Sequence, residues 1–234
     1  TTATAISTQA SDAATLAAID VTDSTLISSG DGVVVRGGTT DLTFSNVMLN
    51  NGSGLAIDVG ANAGAAGTLN FTSNASQLTG AAVTDDASVS NLILFSDSVW
   101  TMTADSTLSN LGNSASLVQF AAPVGGAFKT LTVDNYFGDG GVLGLNTFLG
   151  GDGSPSDKLI IDGGSAAGTS LLSIANAGGR GALTSGDGIL VVDAINGGTT
   201  DPNAFALAGP VVAGPYEYLL FRGNGNPDAW YLRS

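Results

Sequence analysis

The side chains that most often carry catalysis are scarce in this chain. Its 234 residues include no Cys and no His, which excludes a Cys nucleophile, an imidazole base, a thiolate metal site and a disulfide. A serine–lysine pair would have to use Lys129 or Lys158, and a Gly-x-Ser-x-Gly motif is absent. Asp85 and Asp86 are paired carboxylates, but adjacent residues of a strand point to opposite faces. We therefore predict no catalytic residues and a protein that is not an enzyme.

One segment has a weak likeness to a calcium-binding repeat. Gly150–Leu159 approaches the nonapeptide Gly-Gly-x-Gly-x-Asp-x-apolar-x, but two extra residues precede Asp157 and the motif does not recur. A turn is the better reading of this segment, as it is of the glycine-rich segment 138–141. We predict neither a metal site nor a cofactor.

Composition and charge narrow the class of protein further. Hydrophobic residues make up 43% of the chain and charged residues only 11%, with 34 Gly and a single Glu at position 217. A helical bundle needs more Glu, Lys, Arg and Gln on its surfaces, so short strands separated by turns are expected. The net charge of −14 argues against binding nucleic acid or an anionic membrane. It favours a soluble acidic surface, with capture of cations such as Ca²⁺ as the alternative.

Membrane-spanning and targeting segments are not expected in this sequence. No run approaches the roughly 18–20 apolar residues of a membrane helix. The first residues lack a basic segment followed by an apolar one, so no signal peptide is expected. We expect the chain to be a segment of a longer protein.

Residues 27–38 and 49–60 repeat each other. Gly30 and Gly52, Val33 and Leu55, and Val35 and Ile57 are related by one offset of 22 residues (52 − 30 = 22). A period in this range is typical of stacked coils, each of which completes its hydrophobic core against its neighbour.

A strand motif recurs at offsets of 27 (69 − 42 = 27) and 23 (92 − 69 = 23) residues, so the loops vary in length while the strands persist. It reads Leu-Thr-Phe-Ser-Asn from Leu42, Leu-Asn-Phe-Thr-Ser-Asn from Leu69 and Leu-Ile-Leu-Phe-Ser-Asp from Leu92. Because alternate residues of a strand share a face, these residues can point to one interior. That set is Leu42, Phe44, Leu69, Phe71, Leu92 and Leu94.

Short strands at this spacing, with no helices between them, predict an all-β, right-handed parallel β-helix (solenoid). Each coil should stack roughly 4.8 Å above the last. Stacked side chains at the turns, such as Asn46, Asn74 and Asn110, are expected to form ladders. A β-sandwich is the competing fold, although it does not require the 22-residue register.

The composition changes near residue 126. Ten of the fifteen aromatic residues and five of the six prolines lie beyond it. An open solenoid end exposes unpaired backbone, so a terminal cap is needed, and 126–234 has the bulky residues for one. We therefore divide the chain into β-helix coils at 1–125 and a cap at 126–234. Strands are predicted at 129–133, 158–161, 171–174, 189–193, 216–221 and 230–232.

This second half resembles the autochaperone, or junction, region of bacterial autotransporter passengers (type V secretion). The similarity lies in Phe128–Asp134, Asp157–Gly163, Gly181–Asp193, Tyr216–Arg222 and Asp228–Ser234, all in the family's order. The first half resembles only generic passenger coils.

The resemblance implies a C-terminal capping autochaperone subdomain that acts as a folding nucleus. The residues that it assigns to the strand core and to the packing of the cap are Leu159, Ile161, Ile189, Val191, Tyr216, Tyr218, Phe221, Trp230 and Tyr231. It also implies export through the outer membrane to the cell surface or medium, and the protein's own outer-membrane β-barrel as partner.

Three functions follow from the resemblance and remain open. The first is a rigid stalk and folding nucleus in a passenger that is an adhesin or virulence factor. The second is binding, to host-cell or matrix receptors through loops such as 60–67 and 110–116, or to a second copy through a polar ladder. The third and weakest is hydrolysis of a polysaccharide or an ester.

Overall fold

The chain folds into a stack of coils built only from β-strands. The computed structural model describes residues 3–234, and in that range there is no helix and therefore none suited to crossing a membrane. The strands are β1 (Ile6–Gln9), β2 (Leu16–Ser28), β3 (Val33–Arg36), β4 (Gly38–Asn51), β5 (Leu55–Gly60), β6 (Gly67–Asn74), β7 (Gln77–Thr79), β8 (Ala81–Thr84), β9 (Val89–Phe95), β10 (Val99–Met102), β11 (Ser106–Ser114), β12 (Leu117–Phe120), β13 (Thr130–Thr147), β14 (Lys158–Asp162), β15 (Ser165–Asn176), β16 (Ile189–Ile195), β17 (Thr199–Thr200), β18 (Phe205–Leu207), β19 (Val211–Ala213), β20 (Tyr216–Arg222) and β21 (Trp230–Arg233).

Parallel pairing joins these strands into three faces of one solenoid. Face one runs through β1, β3, β5 and β8, and resumes in the first residues of β11 and β13 before β14 and β16. Face two runs through β2, β4, β6, β9, β11, β13 and β15, one strand for each of about seven coils. Face three continues from the end of β4 through β7, β10, β12, β13, β15 and β18. The predicted parallel β-helix is confirmed.

The interior is a single apolar column along the solenoid axis. The six residues predicted to point inward from Leu42 to Leu94 are all at most 1% exposed. Phe44 and Phe71 meet edge to face with 4.8 Å between ring centroids. Trp100 is fully buried, and its Nε1 donates a hydrogen bond of 2.9 Å to the carbonyl oxygen of Gly80. Burial of each large apolar side chain contributes roughly 1.5–3 kcal/mol.

The predicted register is wrong by two residues at each repeat. Val33 pairs with Ile57, not with Leu55, and Leu42 pairs with Phe71, not with Leu69. Phe71 in turn pairs with Leu92. The side-chain period of a strand is two, so a shift of two residues leaves the same side chains pointing inward. The alternation therefore identified the inward residues correctly without fixing the pairing.

The corner between faces two and three uses a left-handed residue in several coils. Asp23, Asn46, Ala75 and Ala115 have φ of 48°, 55°, 47° and 43°, and Gly140 occupies the corner of the next coil with φ of 69°. Asn tolerates this conformation better than Ala, because its short polar side chain can bond locally. Here the Asn46 side chain bonds to the neighbouring coil, donating through Nδ2 to Asp23 Oδ1 at 2.8 Å.

An amide ladder follows the outward side of face two. Each Nδ2 donates to the Oδ1 of the preceding coil at 2.7 to 2.9 Å. The members are Asp41, Asn70, Asn91, Asn110 and Asn135. Of the three asparagines predicted for a ladder only Asn110 belongs to it, since Asn46 bonds to Asp23 at a corner and Asn74 makes no side-chain hydrogen bond within residues 3–234.

The segment 110–116, predicted to be an exposed loop, is for the most part strand. β11 extends to Ser114, with residues 110–113 paired to β9 on one side and residues 110–114 paired to β13 on the other. The segment 60–67 does include a turn, closed by the backbone of Asn62 and Ala65.

Candidate functional site at the C-terminal cap

The last strands close the solenoid by reversing the direction of pairing. β19 and β20 form an antiparallel pair, β20 pairs antiparallel with β21, and β21 pairs antiparallel with β16. β16 would otherwise present an unpaired edge after the last parallel coil. Parallel stacking itself passes through residue 126 without a break, from β11 to β13 to β15. We call the antiparallel unit β19–β21 with β16 the cap.

Tyr218 ties the cap to two separate loops of the stack. Its side chain is fully buried, and its hydroxyl accepts a hydrogen bond of 2.9 Å from the backbone N–H of Ala182. The same hydroxyl lies 2.8 Å from the carbonyl oxygen of Gly150 and 3.1 Å from that of Ala182, either of which it can donate to. A buried hydroxyl without partners is costly, so these contacts fix the position of β20 against both loops.

Aromatic rings connect the coil interior to the cap. Tyr136 of β13 stacks on Phe205 of β18 with 5.8 Å between centroids, and Phe205 meets Trp230 of β21 edge to face at 5.6 Å. All three are at most 5% exposed. Trp230 Nε1 donates to Thr200 Oγ1 at 2.9 Å. Each of the two aromatic pairs is worth about 0.5–1.5 kcal/mol beyond the burial of its apolar area. The three rings join elements that are almost a hundred residues apart in sequence.

Two arginine–aspartate pairs hold the outer side of the cap. Arg222 Nη2 lies 2.9 Å from Asp228 Oδ1, and its guanidinium sits 5.5 Å from the centre of the Trp230 ring. Arg233 Nη2 lies 2.8 Å from Asp187 Oδ1. Both arginines are partly buried, so the pairs are less screened than ordinary surface ion pairs.

The nine residues predicted to form the strand core and the cap packing fall into three groups. Six are at most 5% exposed, namely Leu159, Ile161, Ile189, Val191, Tyr218 and Trp230. Tyr216 and Tyr231 are half-buried. Phe221 lies on the outer surface with 43% of its area exposed, beneath the guanidinium of Arg233 at 5.4 Å.

A buried carboxylate in a segment predicted to be a turn lies between β13 and β14. Asp157 is fully buried and accepts hydrogen bonds from Lys129 N at 2.7 Å, Asn146 N at 2.8 Å and Asn146 Nδ2 at 2.7 Å. Lys129 Nζ turns away from it and donates to the carbonyl oxygens of Ala121 and Ala122 at 2.6 and 3.2 Å. Three N–H donors replace the lost hydration of this carboxylate. Asp157 therefore joins the start and the end of β13 to β14.

A second carboxylate, Asp152, holds the loop at 185–188. It accepts backbone hydrogen bonds from Ser185 at 2.8 Å, Gly186 at 3.0 Å and Gly188 at 2.8 Å. The bond from Ser185, with those from the two glycines, holds the pKa of Asp152 below its ordinary value. No sequence pattern predicts this contact, because the two loops are distant along the chain and neither is periodic.

The residues considered for catalysis are not assembled into a site. Asp85 caps a turn, accepting from Ala61 N at 2.8 Å and Ala87 N at 3.2 Å, and a hydrogen bond from the Ser88 side chain, followed by that from Ala61, lowers its pKa. The ammonium of Lys129 is hydrogen-bonded to the two carbonyl oxygens described above. No group of three or more Asp or Glu side chains within residues 3–234 is arranged to hold a metal ion. The contacts of the cap close the end of the solenoid and hold its last strands in place.

The fold and its antiparallel closure define a parallel β-solenoid with a C-terminal cap. Comparison with known proteins narrows this class. Residues 106–220 match the family model Autochaperone Domain Type 1. The chain is 42% identical over 119 residues to the adhesin BmaC autotransporter of Brucella suis, an alignment that covers 46% of this chain and 3% of BmaC. It is 36% identical over 112 residues to the autotransporter adhesin AIDA-I of Escherichia coli, covering 46% of this chain and 8% of AIDA-I.

A solved structure shares the fold over most of the chain. The Hap adhesin of Haemophilus influenzae superposes with a TM-score of 0.52 at 23% identity, covering 92% of this chain and 24% of Hap. This likeness concerns the fold alone. The family model and the sequence matches show that the chain belongs to the bacterial autotransporters, as part of a passenger that includes an autochaperone domain. Such passengers are secreted through the outer membrane to the bacterial cell surface, as predicted. The chain spans only a small fraction of the length of these relatives.

Proposed function

We propose that this chain is the rigid stalk and the folding nucleus of its passenger, and that the cap is the unit that folds first. The antiparallel closure of β16 by β21 carries this proposal. It gives the last coil a partner that does not depend on any other coil. Tyr218 and Trp230 then fix the closing strands to the loops and coils beneath them.

The physical need for a nucleus follows from the parallel stack. Each parallel pair joins residues that are 18 or more positions apart, and such long-range pairing folds slowly and is prone to misassembly. A preformed end offers a strand edge on which the next coil can pair, so the unfavourable nucleation of the stack has to occur only once. In an exported chain the same step opposes sliding back through the protein's own outer-membrane barrel, which is the partner that we propose for it.

We propose to keep the boundary at residue 126, with 1–125 as the stalk and 126–234 as the nucleating region that contains the cap. In refolding of the full chain followed by pulsed hydrogen exchange, amides of β16, β20 and β21 should become protected before those of β4, β6 and β9. Simultaneous protection of both sets, or earlier protection of the stalk, contradicts the proposal. Mass spectrometry of peptides from each region provides the readout.

We further propose that the passenger is a non-enzymatic adhesin, with host-cell or matrix receptors as partners. Support comes from the two relatives, BmaC and AIDA-I, whose names describe adhesins. Adhesion of the full chain to cultured host cells and to immobilised matrix proteins tests this. A fragment that releases product from polysaccharide or ester substrates argues against it.

A second candidate function is association of two copies through the outward side of face two. The observation that favours it is the amide ladder, whose asparagines retain hydrogen-bonding capacity toward solvent after bonding along the axis. The net charge of −14 opposes the approach of two copies, so added salt should strengthen the dimer. Sedimentation equilibrium at low and high salt measures this. A monomer at every concentration and both salt levels removes the candidate.

A further inference from the structure

An open groove of about 470 Å³ crosses the outward side of face one where β13 and β14 meet the cap. Phe128, Lys158, Leu190 and Tyr231 contribute to its walls, together with hydroxyl-bearing residues. Strand pairing sets their positions, since Thr130 is opposite Lys158 and Leu190 is opposite Tyr231. The groove thus spans β13, β14, β16 and β21, and it has no part in the buried contacts that hold the cap.

Lys158 is the cation of this groove, and its charge is not neutralised by the protein. No carboxylate lies within 4.0 Å of its ammonium in the described part of the chain, and it makes no side-chain hydrogen bond there. Three arginines are in ion pairs, and Lys129 bonds to backbone carbonyls. The remaining cation, Arg180, is exposed on a loop outside the groove. In a chain of net charge −14, Lys158 is therefore an unpaired and half-buried cation.

The other groups in the groove are rings and free hydroxyls. Phe128 and Tyr231 are both half-buried, so each retains accessible ring surface. The hydroxyls of Thr130 and Tyr231 have no hydrogen-bond partner within residues 3–234. Burial, with the carboxylates of Asp193 and Asp187, raises the pKa of Tyr231, so its hydroxyl stays protonated and able to donate.

We propose that this groove binds an acidic sugar unit of a glycan. The ammonium of Lys158 pairs with the sugar carboxylate, the ring of Phe128 or Tyr231 packs against the apolar face of the sugar, and the hydroxyls of Thr130 and Tyr231 bond to sugar hydroxyls. This site is separate from the folding role proposed above.

Two alternatives fit the groove less well. A peptide that binds as an added strand needs a free backbone edge, but the strands here are already paired on either side. A long polyanion meets the repulsion of the whole acidic chain. A short glycan with one or a few acidic sugars needs no free strand edge and meets less repulsion than a long polyanion.

Calorimetric titration of the full chain with 3′-sialyllactose and with trigalacturonic acid tests the proposal, with lactose as the neutral comparison. We expect at least one acid to bind and lactose to bind at least about tenfold more weakly. Lys158→Gln should weaken the acid by at least about tenfold, whereas Arg180→Gln, which removes the same charge elsewhere, should leave it within twofold. Phe128→Ala should also weaken binding, and it reports on the groove if Lys158→Gln is poorly folded. Thermal unfolding of each variant establishes that it is folded.

Several results overturn the proposal. They are failure of both acids to bind, equal binding of lactose, an equal loss on Arg180→Gln, or binding unchanged in Lys158→Gln and Phe128→Ala. Binding only of heparin, or of an acidic peptide in preference to both acids, also overturns it and assigns the groove to another class of ligand.

Discussion

The two tryptophans of this chain allow a direct test of where folding begins. Trp100 lies in the middle of the stack and Trp230 in the cap. Both are at most 5% exposed, and each Nε1 makes one hydrogen bond of 2.9 Å. Truncation to Ala at either position should therefore cost about 3–5 kcal/mol of the free energy of unfolding. The matched cost makes Trp100→Ala the natural control for Trp230→Ala.

The two variants should differ in kinetics. If the cap forms in the transition state, Trp230→Ala slows refolding by between about two and four orders of magnitude and leaves unfolding nearly unchanged. Trp100→Ala should instead accelerate unfolding by a similar factor and leave refolding within about threefold. Each variant retains one tryptophan, so fluorescence follows refolding and unfolding across a urea series in both.

The opposite partition refutes the reasoning, because it would show that the stalk forms before the cap. An equal partition refutes it as well. Trp230→Phe and Trp100→Phe repeat the comparison with smaller losses, in case either alanine variant aggregates. The same order should appear during export, with Trp230→Ala reducing both surface display and the protease-resistant core of the displayed passenger. Unchanged display and an unchanged resistant core contradict that expectation.

Three further predictions follow from other contacts. The pKa of Asp152 is lowered in the folded state, so its carboxylate stabilises the fold above its ordinary pKa of about 3.9, and this contribution is lost as the pH falls through the lower folded-state pKa. Asp152→Asn should therefore flatten the fall in the free energy of unfolding that urea titrations measure from pH 5 to 2. An unaltered slope would mean that the hydrogen bonds from the 185–188 loop to Asp152 do not stabilise the fold. Asn91→Ala removes two ladder hydrogen bonds and should cost about 1–2 kcal/mol, whereas the control Asn74→Ala should change the free energy of unfolding by less than about 0.5 kcal/mol; equal costs mean that the ladder contributes nothing measurable. Ala115→Gly relieves a left-handed alanine and should raise the free energy of unfolding by up to about 1 kcal/mol, net of the added entropy of glycine, and destabilisation in thermal scans contradicts this.

Periodicity predicted the fold and the inward residues well, but not the pairing between coils. The alternation in β4 and β6 placed Phe44 and Phe71 in the core, where both lie. It could not distinguish the true partner of Leu42 from a residue two positions away, because both point inward. The two registers differ in which outward side chains meet, as they do in the ladder. The alternation of apolar and polar residues does not identify those outward pairs.

The candidate site was harder to predict, for a similar reason. Trp230 and Tyr218 are large and come from strands with clear alternation, so their burial followed from type and position. Phe221 has the same character yet lies outside, because it is three residues from the inward Tyr218 and therefore points to the opposite, solvent-facing side of β20. Asp157 was treated as part of a turn, since a sequence gives no sign that three N–H groups will surround a carboxylate.

The direction of the hydrogen bonds between coils has a mechanical consequence. In a parallel stack these bonds lie along the long axis, so a pulling force applied to the two ends loads every interface in series. The weakest interface opens first while the others stay closed, and each opening releases one coil of slack chain. A tether of this design yields in steps under tension and shortens again when the load is removed.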